Sequence, residues 1–575
     1  MLNKNNYFLI LIFFLYELKN YLNILFKKID ALKHYKLNNL IKFFKDRSVN
    51  PSNNIFFKKF TKLNKKKWPT NLQNNKNILV TSFVHLPHDA ICNSLIGKYL
   101  EEKQKRKLIG LIDKNDFQAE IIMRSFGIKN FIYLDQGNIF QRIDCFMEAI
   151  KIINKLNFNF DKFLNFKYKG IHLGKAVYEH HLRYSGKPTE QNFTFKIYLF
   201  LSKSIFTYKF MNKILDKKQN ISSVIQAENQ FIPSNILFQV ALKNKFKIYA
   251  RDGAPKKVTI REFKNYLEIF TGRGEPSLNF FKFIEKNYYK KAVKEGSKIV
   301  KDRFVGKKDK AFLRESNLTF SSKTHYSKSA ICNKYKWEKK KKIVFIFSHT
   351  FIDGNFVLGW RLFKDNYTWL EETLKHIGNN KKVNWLIKPH PMDYHYKKVL
   401  KFDTTDLINK FTKKYNHIKI CPSDMSMTTI KNLATSIVTS HGTAALEFGS
   451  FRVPVIMAAR SQFSKPVFNF RHDKSKKNYF FKLDNIDRLK KLSIIISNKA
   501  KIFLYILNKL QKIDNPLFFD KVISRDYDKN LFWKETYNLL KKYKSNKDEF
   551  KRLFFFQLDK NLRHTVDLKK INKIK

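Results

Sequence analysis

Residues 77–83 read NILVTSF, an unbroken apolar run too short for a helix and bounded by polar residues. That is the pattern of a strand buried on both faces. HDAICNSLIGKYLEEKQ follows, with apolar residues at helical spacing, and then a second short run, KLIGLID. Strand, helix and strand at this spacing predict a βαβ unit. The pattern returns in SSVIQAE, PSNILFQVALKNK and FKIYARDG, so a first α/β domain is predicted over 76–270. A Lys-rich stretch, 271–340, reads as an interdomain segment. A second α/β domain, 341–500, opens with KKIVFIFSHT and contains VNWLIKPHP, HIKICPSD, SIVTSHGTAALEFGS and VPVIMAA. Residues 1–75 and 501–575 pattern as basic helical extensions, and no repeat of solenoid length is present.

The extensions raise the question of a membrane. YFLILIFFLY, residues 7–16, falls short of the roughly 20 apolar residues a spanning helix requires. Glu17 and Lys19 interrupt it, and no small-residue cleavage site follows. Its amphipathic continuation fits two states equally, a helix on a membrane surface or a helix packed on the protein. The net charge of +65 points to an anionic partner. Lys, Asn, Ile and Phe abound while Gly and Pro are scarce, so A/T-rich codon usage accounts for part of the excess. There is no zinc-finger spacing, RRM aromatic motif or recognition-helix signature, which sets specific nucleic-acid binding aside. Cys92, Cys145, Cys332 and Cys421 lie far apart, without the spacing of a disulfide framework or a zinc site, which fits a cytoplasmic protein.

Candidate chemistry gathers in the second domain. Ser348-His349-Thr350 follows the strand-like IVFIF, Lys388-Pro389-His390-Pro391 follows VNWLI, and Ser440-His441-Gly442-Thr443 follows SIVT. Each cluster falls at the carboxyl end of a predicted parallel strand, the edge where open α/β sheets bind ligands. Gly442 permits a sharp turn into a helix starting near Thr443, whose unpaired N–H groups would suit a phosphate. Glu447, one turn on, could accept bonds from ribose hydroxyls; set among Ala444, Ala445, Leu446 and Phe448, it is ill placed for a solvated face. On this reading its removal weakens nucleotide binding and spares the fold. Pro389 and Pro391 hold His390 rigidly beside Lys388, suited to a leaving phosphate. In FSHTFIDG, His349 and Asp353 could face donor or acceptor, or be a structural histidine and a cap.

The first domain offers SFVHLPHDA after its first strand, with His85, His88 and Asp89 where an acceptor would meet the donor. Asp89 or His88 could act as general base; Asp89 could equally cap the next helix. Arg251 and Arg261, near another strand end, could hold an anionic acceptor. The Asp526–Asp528 pair lies in the basic tail, outside any strand end, and no Walker A, G-x-S-x-G or clear G-x-G-x-x-G motif occurs.

IFSHTFIDG, WLIKPHP and VTSHGTAALEFGSFRVPVI together resemble the bacterial capsule polysaccharide biosynthesis proteins. These are related to Kdo transferases and, more distantly, to CDP-glycerol glycerophosphotransferases and bacterial sialyltransferases. The clear match covers about 343–460; GIHLGKAVYEHHLR and 224–253 are similar, less specifically. The resemblance implies a GT-B-like α/β fold, two Rossmann-like domains facing a cleft, with the nucleotide on the second. It implies a metal-independent transferase with no resident cofactor, moving a sugar from a nucleotide-activated donor, CMP-Kdo or another CMP-sugar. The acceptor would be a capsular polysaccharide or its lipid-linked precursor; the +65 charge, the amphipathic start and the aromatic, basic tail add the expectation of a peripheral position at the inner membrane face. His390 and Pro391 would contact the donor phosphate, and His441, Gly442, Thr443 and Glu447 the nucleotide. Polyol-phosphate transfer from CDP-glycerol, and a non-catalytic glycan- or membrane-binding subunit of an export complex, are the alternatives.

Overall fold

The computed structural model describes residues 4–33, 54–68, 76–134, 137–216, 220–306, 324–355, 360–463, 475–520 and 528–572. Asp526 and parts of the expected extension and interdomain segment lie outside these residues.

The first sheet is built from β1 (Asn77–Ser82), β2 (Lys107–Asp113), β3 (Asn130–Leu134), β4 (Ile221–Gln226), β5 (Lys247–Gly253) and β6 (Lys257–Phe263). Strands β3, β2, β1, β4 and β5 run side by side and parallel, and β6 returns antiparallel to β5. Successive residues of one strand enter different cores. Ile78 and Val80 pack on one face of the sheet, Leu79 on the other. This is why the strands read as continuous apolar runs and not as alternations.

The second sheet contains β7 (Lys342–Phe347), β9 (Val383–Lys388), β10 (Ile418–Ile420), β11 (Ala434–Thr439) and β12 (Val455–Met457), all parallel, in the order β10-β9-β7-β11-β12. A short antiparallel pair, β8 (Trp360–Arg361) and β13 (Ala459–Arg460), stands beside it. Ile343 and Phe345 enter one core, Val344 and Ile346 the other. Two parallel α/β sheets make this a GT-B-like arrangement of two Rossmann-like domains.

The expected boundaries change in three places. Helix Leu278–Phe304, expected between the domains, belongs to the second: Phe281, Ile284, Val300 and Phe304 lie in its core. It crosses helix Ile494–Tyr505 so closely that a Cβ on Gly296 would stand 2.0 Å from the Lys501 carbonyl oxygen. The expected tail returns to the first domain, where β14 (Ile513–Asp514) adds to the sheet beside β6. Helices Lys529–Lys542 and Glu549–Asp559 then join Ile55–Lys67, from the expected N-terminal extension, in one core. Aromatic residues drive this, since Phe57 and Phe60 lie 4.4 and 5.5 Å from the Trp533 ring. Segments that look basic and peripheral in one dimension are thus amphipathic covers whose apolar stripes complete the sheet's outer layer.

Trp533 is 3% exposed. Trp533→Ala is expected to cost about 3–5 kcal/mol of unfolding free energy in a urea titration. A loss below about 1 kcal/mol, the scale of an ordinary surface change, would return the tail to the status of an appendage.

Candidate active site

In the second sheet the chain lays down β7, then β9 and β10 to one side, then β11 and β12 to the other. The direction of growth reverses between β7 and β11. Loops leaving adjacent parallel strands on either side of such a point diverge and open a crevice at their carboxyl ends. His349 follows β7 and His441 follows β11, so the strand order brings them together. Their rings stack face to face, centroids 3.9 Å apart and 16° from parallel. His390, from the loop after β9, lies on the other side of β7, its ring 5.9 Å from that of His349.

Gly442 leaves room here for its neighbours, and its backbone conformation does not call for glycine. A Cβ on it would lie 3.1 Å from Thr439 Oγ1 and 3.3 Å from the His349 ring. The same ring is held by Thr439, whose Oγ1 is 3.0 Å from His349 Nε2.

All three histidines are held neutral. Burial pushes His390 down to about 4. Burial, with His390 and Arg361 nearby, holds His349 well below the ordinary imidazole range. Burial, with Arg361, His349 and His390, does the same for His441. Neutral rings have a definite polarity. The Met392 amide donates to His390 Nδ1 at 3.2 Å, so the ring's proton is on Nε2. Arg361 Nη2 approaches His441 Nε2 at 3.4 Å, and a guanidinium can only donate, so the His441 proton is on Nδ1. That buried Nδ1 has no hydrogen-bond partner among the described residues. An orphan donor at a strand-end crevice is a group a ligand oxygen would satisfy.

Arg361 is the cation of the site. Besides His441 it reaches Ser440 Oγ at 3.4 Å, Asn366 Oδ1 at 2.6 Å and the Gly354 carbonyl. Burial lowers even this guanidinium, to about 10, so it stays charged. Asn366 in turn donates to the Thr350 carbonyl and, through its backbone amide, to Asn355 Oδ1 at 3.0 Å, while the backbone amide of Asn355 donates to Glu179 Oε1 at 2.8 Å. Glu179 is on helix Leu173–Ser185 of the first domain. A chain of bonds therefore runs from the first domain to the histidines of the second.

The same helix reaches across elsewhere. Tyr178 and Thr189 both donate to Asp365 Oδ2 at 2.6 Å, and Leu164, Tyr178 and Leu182 enter the second domain's core. Between the domains lies a cavity of about 830 Å³, lined in part by Phe158, Phe160, Lys175 and Phe270 on one side and by Arg361 and Lys364 on the other.

The expected residues divide. His349, His390, His441 and Ser440 form the cluster; Gly442 seats against it, and Lys388, at the end of β9 with its side chain buried, lies in the adjoining strand. Pro391 is half-buried in the His390 turn, and Thr443 is exposed and caps nothing. Asp353 accepts from Tyr396 at 2.9 Å and stands 3.8 Å from Arg183 of the first domain, which makes it a cross-domain tether and not a helix cap. Glu447 is buried, and its Oε1 accepts from buried Arg303 on helix Leu278–Phe304 at 2.5 Å. The expectation that its removal spares the fold does not survive this contact.

In the first domain, Asp89 is in the first turn of its helix, where Leu86 holds the cap position. It pairs with buried Arg251 and lies 3.9 Å from His88. His85 is exposed, 3.4 Å from Asp116. Arg261 has no exposed surface: it bonds the Gly272 carbonyl, Thr271 Oγ1 and Glu268, and burial lowers it to about 9. Its expected contact with an acceptor is corrected to a bracket on the turn after β6.

Sequence reading missed Arg361, Asn355 and Asn366, which carry no motif, and Asp393, whose carboxyl burial raises to about 6. Glu179 and Arg183 lie within the resembling segment GIHLGKAVYEHHLR, but only the fold shows that they cross between domains.

No protein-family model matches the chain, and no curated protein matches it in sequence. Among solved structures, it is similar to Thermosulfurimonas dismutans KpsC, a beta Kdo 2,4 transferase, at 10% identity and TM-score 0.27, over 49% of this chain and 79% of that one. It is similar to a glycosyltransferase from Rickettsia africae at 12% identity and TM-score 0.26, over 82% and 99%. A third likeness is to the wall teichoic acid polymerase TagF, at 8% identity and TM-score 0.21, over 88% and 98%. Likeness at this level leaves substrate and reaction to the geometry.

Two predictions follow from the site's electrostatics. Burial pushes His390 down to about 4 in the folded chain, against ~6.5 in the unfolded one. Between those values the unfolded chain binds the extra proton, so the contribution of His390 to stability is complete above ~6.5 and lost as pH falls toward 4. The melting temperature of the wild type should therefore drop more between pH 7.5 and pH 5 than that of His390→Asn; equal drops would mean the ring is not held neutral. For the buried pair, Glu447→Ala should destabilise by about 3–5 kcal/mol, because it removes the carboxylate that faces a buried guanidinium. Adding Arg303→Leu should recover much of that loss in a double-mutant cycle; strictly additive losses would show that the two side chains are not coupled.

Proposed function

We propose that the protein is a glycosyltransferase of the GT-B kind, which moves a sugar from a nucleotide-activated donor to a surface glycan without a bound metal. The observation that carries the proposal is the cluster of three neutral histidines, an orphan N–H and Arg361 at the topological switch point of the second sheet. In sugar transfer an acceptor oxygen bonds to the anomeric carbon, the carbon–oxygen bond to the donor phosphate breaks, and its electron pair leaves on the phosphate. Charge therefore grows on a phosphate oxygen. Donors already fixed at that position stabilise it without reorganising. His390 Nε2–H, His441 Nδ1–H, Arg361 and Lys388 are the proposed donors.

Glu447 is the proposed ribose contact, its carboxylate oriented by Arg303, and Ser440, Gly442, Thr443 and Pro391 shape the nucleotide pocket. Asp89 or His88 is the proposed base that takes the acceptor proton, with His349 and Asp353 completing the site on the donor side. The cleft cavity, with its aromatic rings and Lys175, Arg361 and Lys364, suits an anionic glycan: rings offer flat faces to sugars and cations meet carboxylates or phosphates. A CMP-sugar such as CMP-Kdo is the first choice of donor, and a capsular or lipid-linked glycan the acceptor. A peripheral position at the inner membrane face belongs with this reading; no described helix is long and apolar enough to cross a membrane.

A melting screen against CMP, CDP, UDP and GDP should show a selective rise with cytidine nucleotides, since a ligand bound only by the folded state stabilises it in proportion to occupancy. With the stabilising donor in hand, His390→Ala should lower kcat by about 10²–10³ and change the donor KM much less. Stabilisation by CDP-glycerol alone would move the chain to polyol-phosphate transfer. Absence of any nucleotide effect would leave a glycan-binding subunit in place of an enzyme.

A further inference from the structure

Helix Lys4–Lys33 has two faces with different fates. One is packed on the first domain. Phe13, 1% exposed, stacks on Phe146 at 4.2 Å, Tyr16 meets the edge of Phe195 at 5.9 Å, and Glu17 pairs with Arg142 at 2.5 Å. The other face carries Tyr7, Phe8, Leu11, Phe14, Leu15, Leu18 and Leu22, each between 40 and 64% exposed. At a helical turn of about 100° per residue these seven fall within a sector roughly 120° wide, opposite Phe13 and Glu17. Among the described side chains from Tyr7 to Leu22, Lys19 is the one other exposed residue, at the edge of that sector.

Single exposed apolar residues are ordinary, but a continuous stripe along four turns marks an interaction surface. The stripe runs for about 24 Å, from the 1.5 Å rise per residue. Charge decides between the two occupants that an apolar helix face fits. The helix carries Lys4, Lys19, Lys27, Lys28 and Lys33 against Glu17 and Asp30, and Glu17 is spent inward on Arg142. A second copy would bring the same lysines and another +65 body against this one. An anionic bilayer offers the opposite charge together with an apolar layer to receive the rings.

We propose that the face of the N-terminal helix bearing Tyr7, Leu11, Phe14, Leu18 and Leu22 is a docking surface that lies in the headgroup–acyl boundary of an anionic membrane. The helix rests in the plane of the interface, and its inner face carries the first domain, the expected acceptor side, with it. The proposal does not rest on the glycosyltransferase reading, and the nucleotide melting shift measured alongside lets the two fail separately.

The test is co-sedimentation of the full chain with vesicles of phosphatidylcholine alone or with about one third phosphatidylglycerol, at low and high salt. Binding is expected to the anionic vesicles, weakened by salt and at least tenfold weaker for the triple variant Leu11→Gln, Phe14→Gln, Leu18→Gln. The substitutions are at exposed positions, so the melting temperature in solution should not change. A second readout does not depend on that variant. Cys92, Cys145, Cys332 and Cys421 are all buried, so Leu18→Cys can be labelled selectively with an environment-sensitive dye; its emission should shift to the blue on anionic vesicles. Equal binding by wild type and triple variant, no vesicle binding, unshifted dye emission, or a wild-type dimer that the triple variant dissolves would each overturn the proposal.

Discussion

Two imidazoles stack at 3.9 Å beside a guanidinium at least cost when neither carries the second ring proton that would charge it. Two unit charges about 4 Å apart repel by about 4 kcal/mol even at an effective dielectric of 20. The contact between His349 and His441 thus depends on burial, and burial depends on the fold. Strand order sets β7 and β11 side by side, Gly442 leaves room for the ring, and Thr439 holds it. Strand β8 then sets Arg361 beside His441. Neutrality is also what gives the site its use. His390 and His441 each have one donor and one acceptor in assigned places, and the positive charge beside them is that of Arg361.

That arrangement is not private to the second domain. Arg361 is fixed by Asn366, Asn366 by Asn355, and Asn355 by Glu179 of the first domain. Tyr178 and Arg183, on the same helix as Glu179, add further ties to Asp365 and Asp353. The domains therefore meet through a polar network in which buried donors and acceptors satisfy one another, where a stranded partner is costly. A shift of one domain against the other changes the position of Arg361 and with it the polarity at His441. The cavity between the domains and the histidine cluster are joined through one guanidinium, since Arg361 lines the first and approaches His441 of the second.

Much of this was legible in the sequence, and the parts that were not share a cause. Short apolar runs located β1, β2, β4, β5, β7, β9 and β11, because a strand buried on both faces has no polar positions to hide it. The three histidine clusters were legible for the same reason, as polar residues at the ends of such runs. Long-range partners were not. Nothing near Glu447 names Arg303, nothing near Arg361 names His441, and Arg261 looks like any basic residue near a strand end until burial on every side is seen. The N-terminal and C-terminal helices look like extensions because their lysines dominate the composition, while the Phe57, Phe60 and Trp533 contacts that build them into the core join residues over 400 positions apart.

The central claim is that the crevice between β7 and β11 receives the phosphate of a nucleotide. Histidine-selective NMR tests it most directly: ring Cε1–H signals of His349, His390 and His441, assigned by single substitutions, followed during titration with CMP and CDP. The account predicts that a cytidine nucleotide shifts these three signals together and saturably, while those of exposed His85 and of His376 remain in place. Saturable binding that leaves the three signals unmoved, or that moves only His85 and His88, would contradict it.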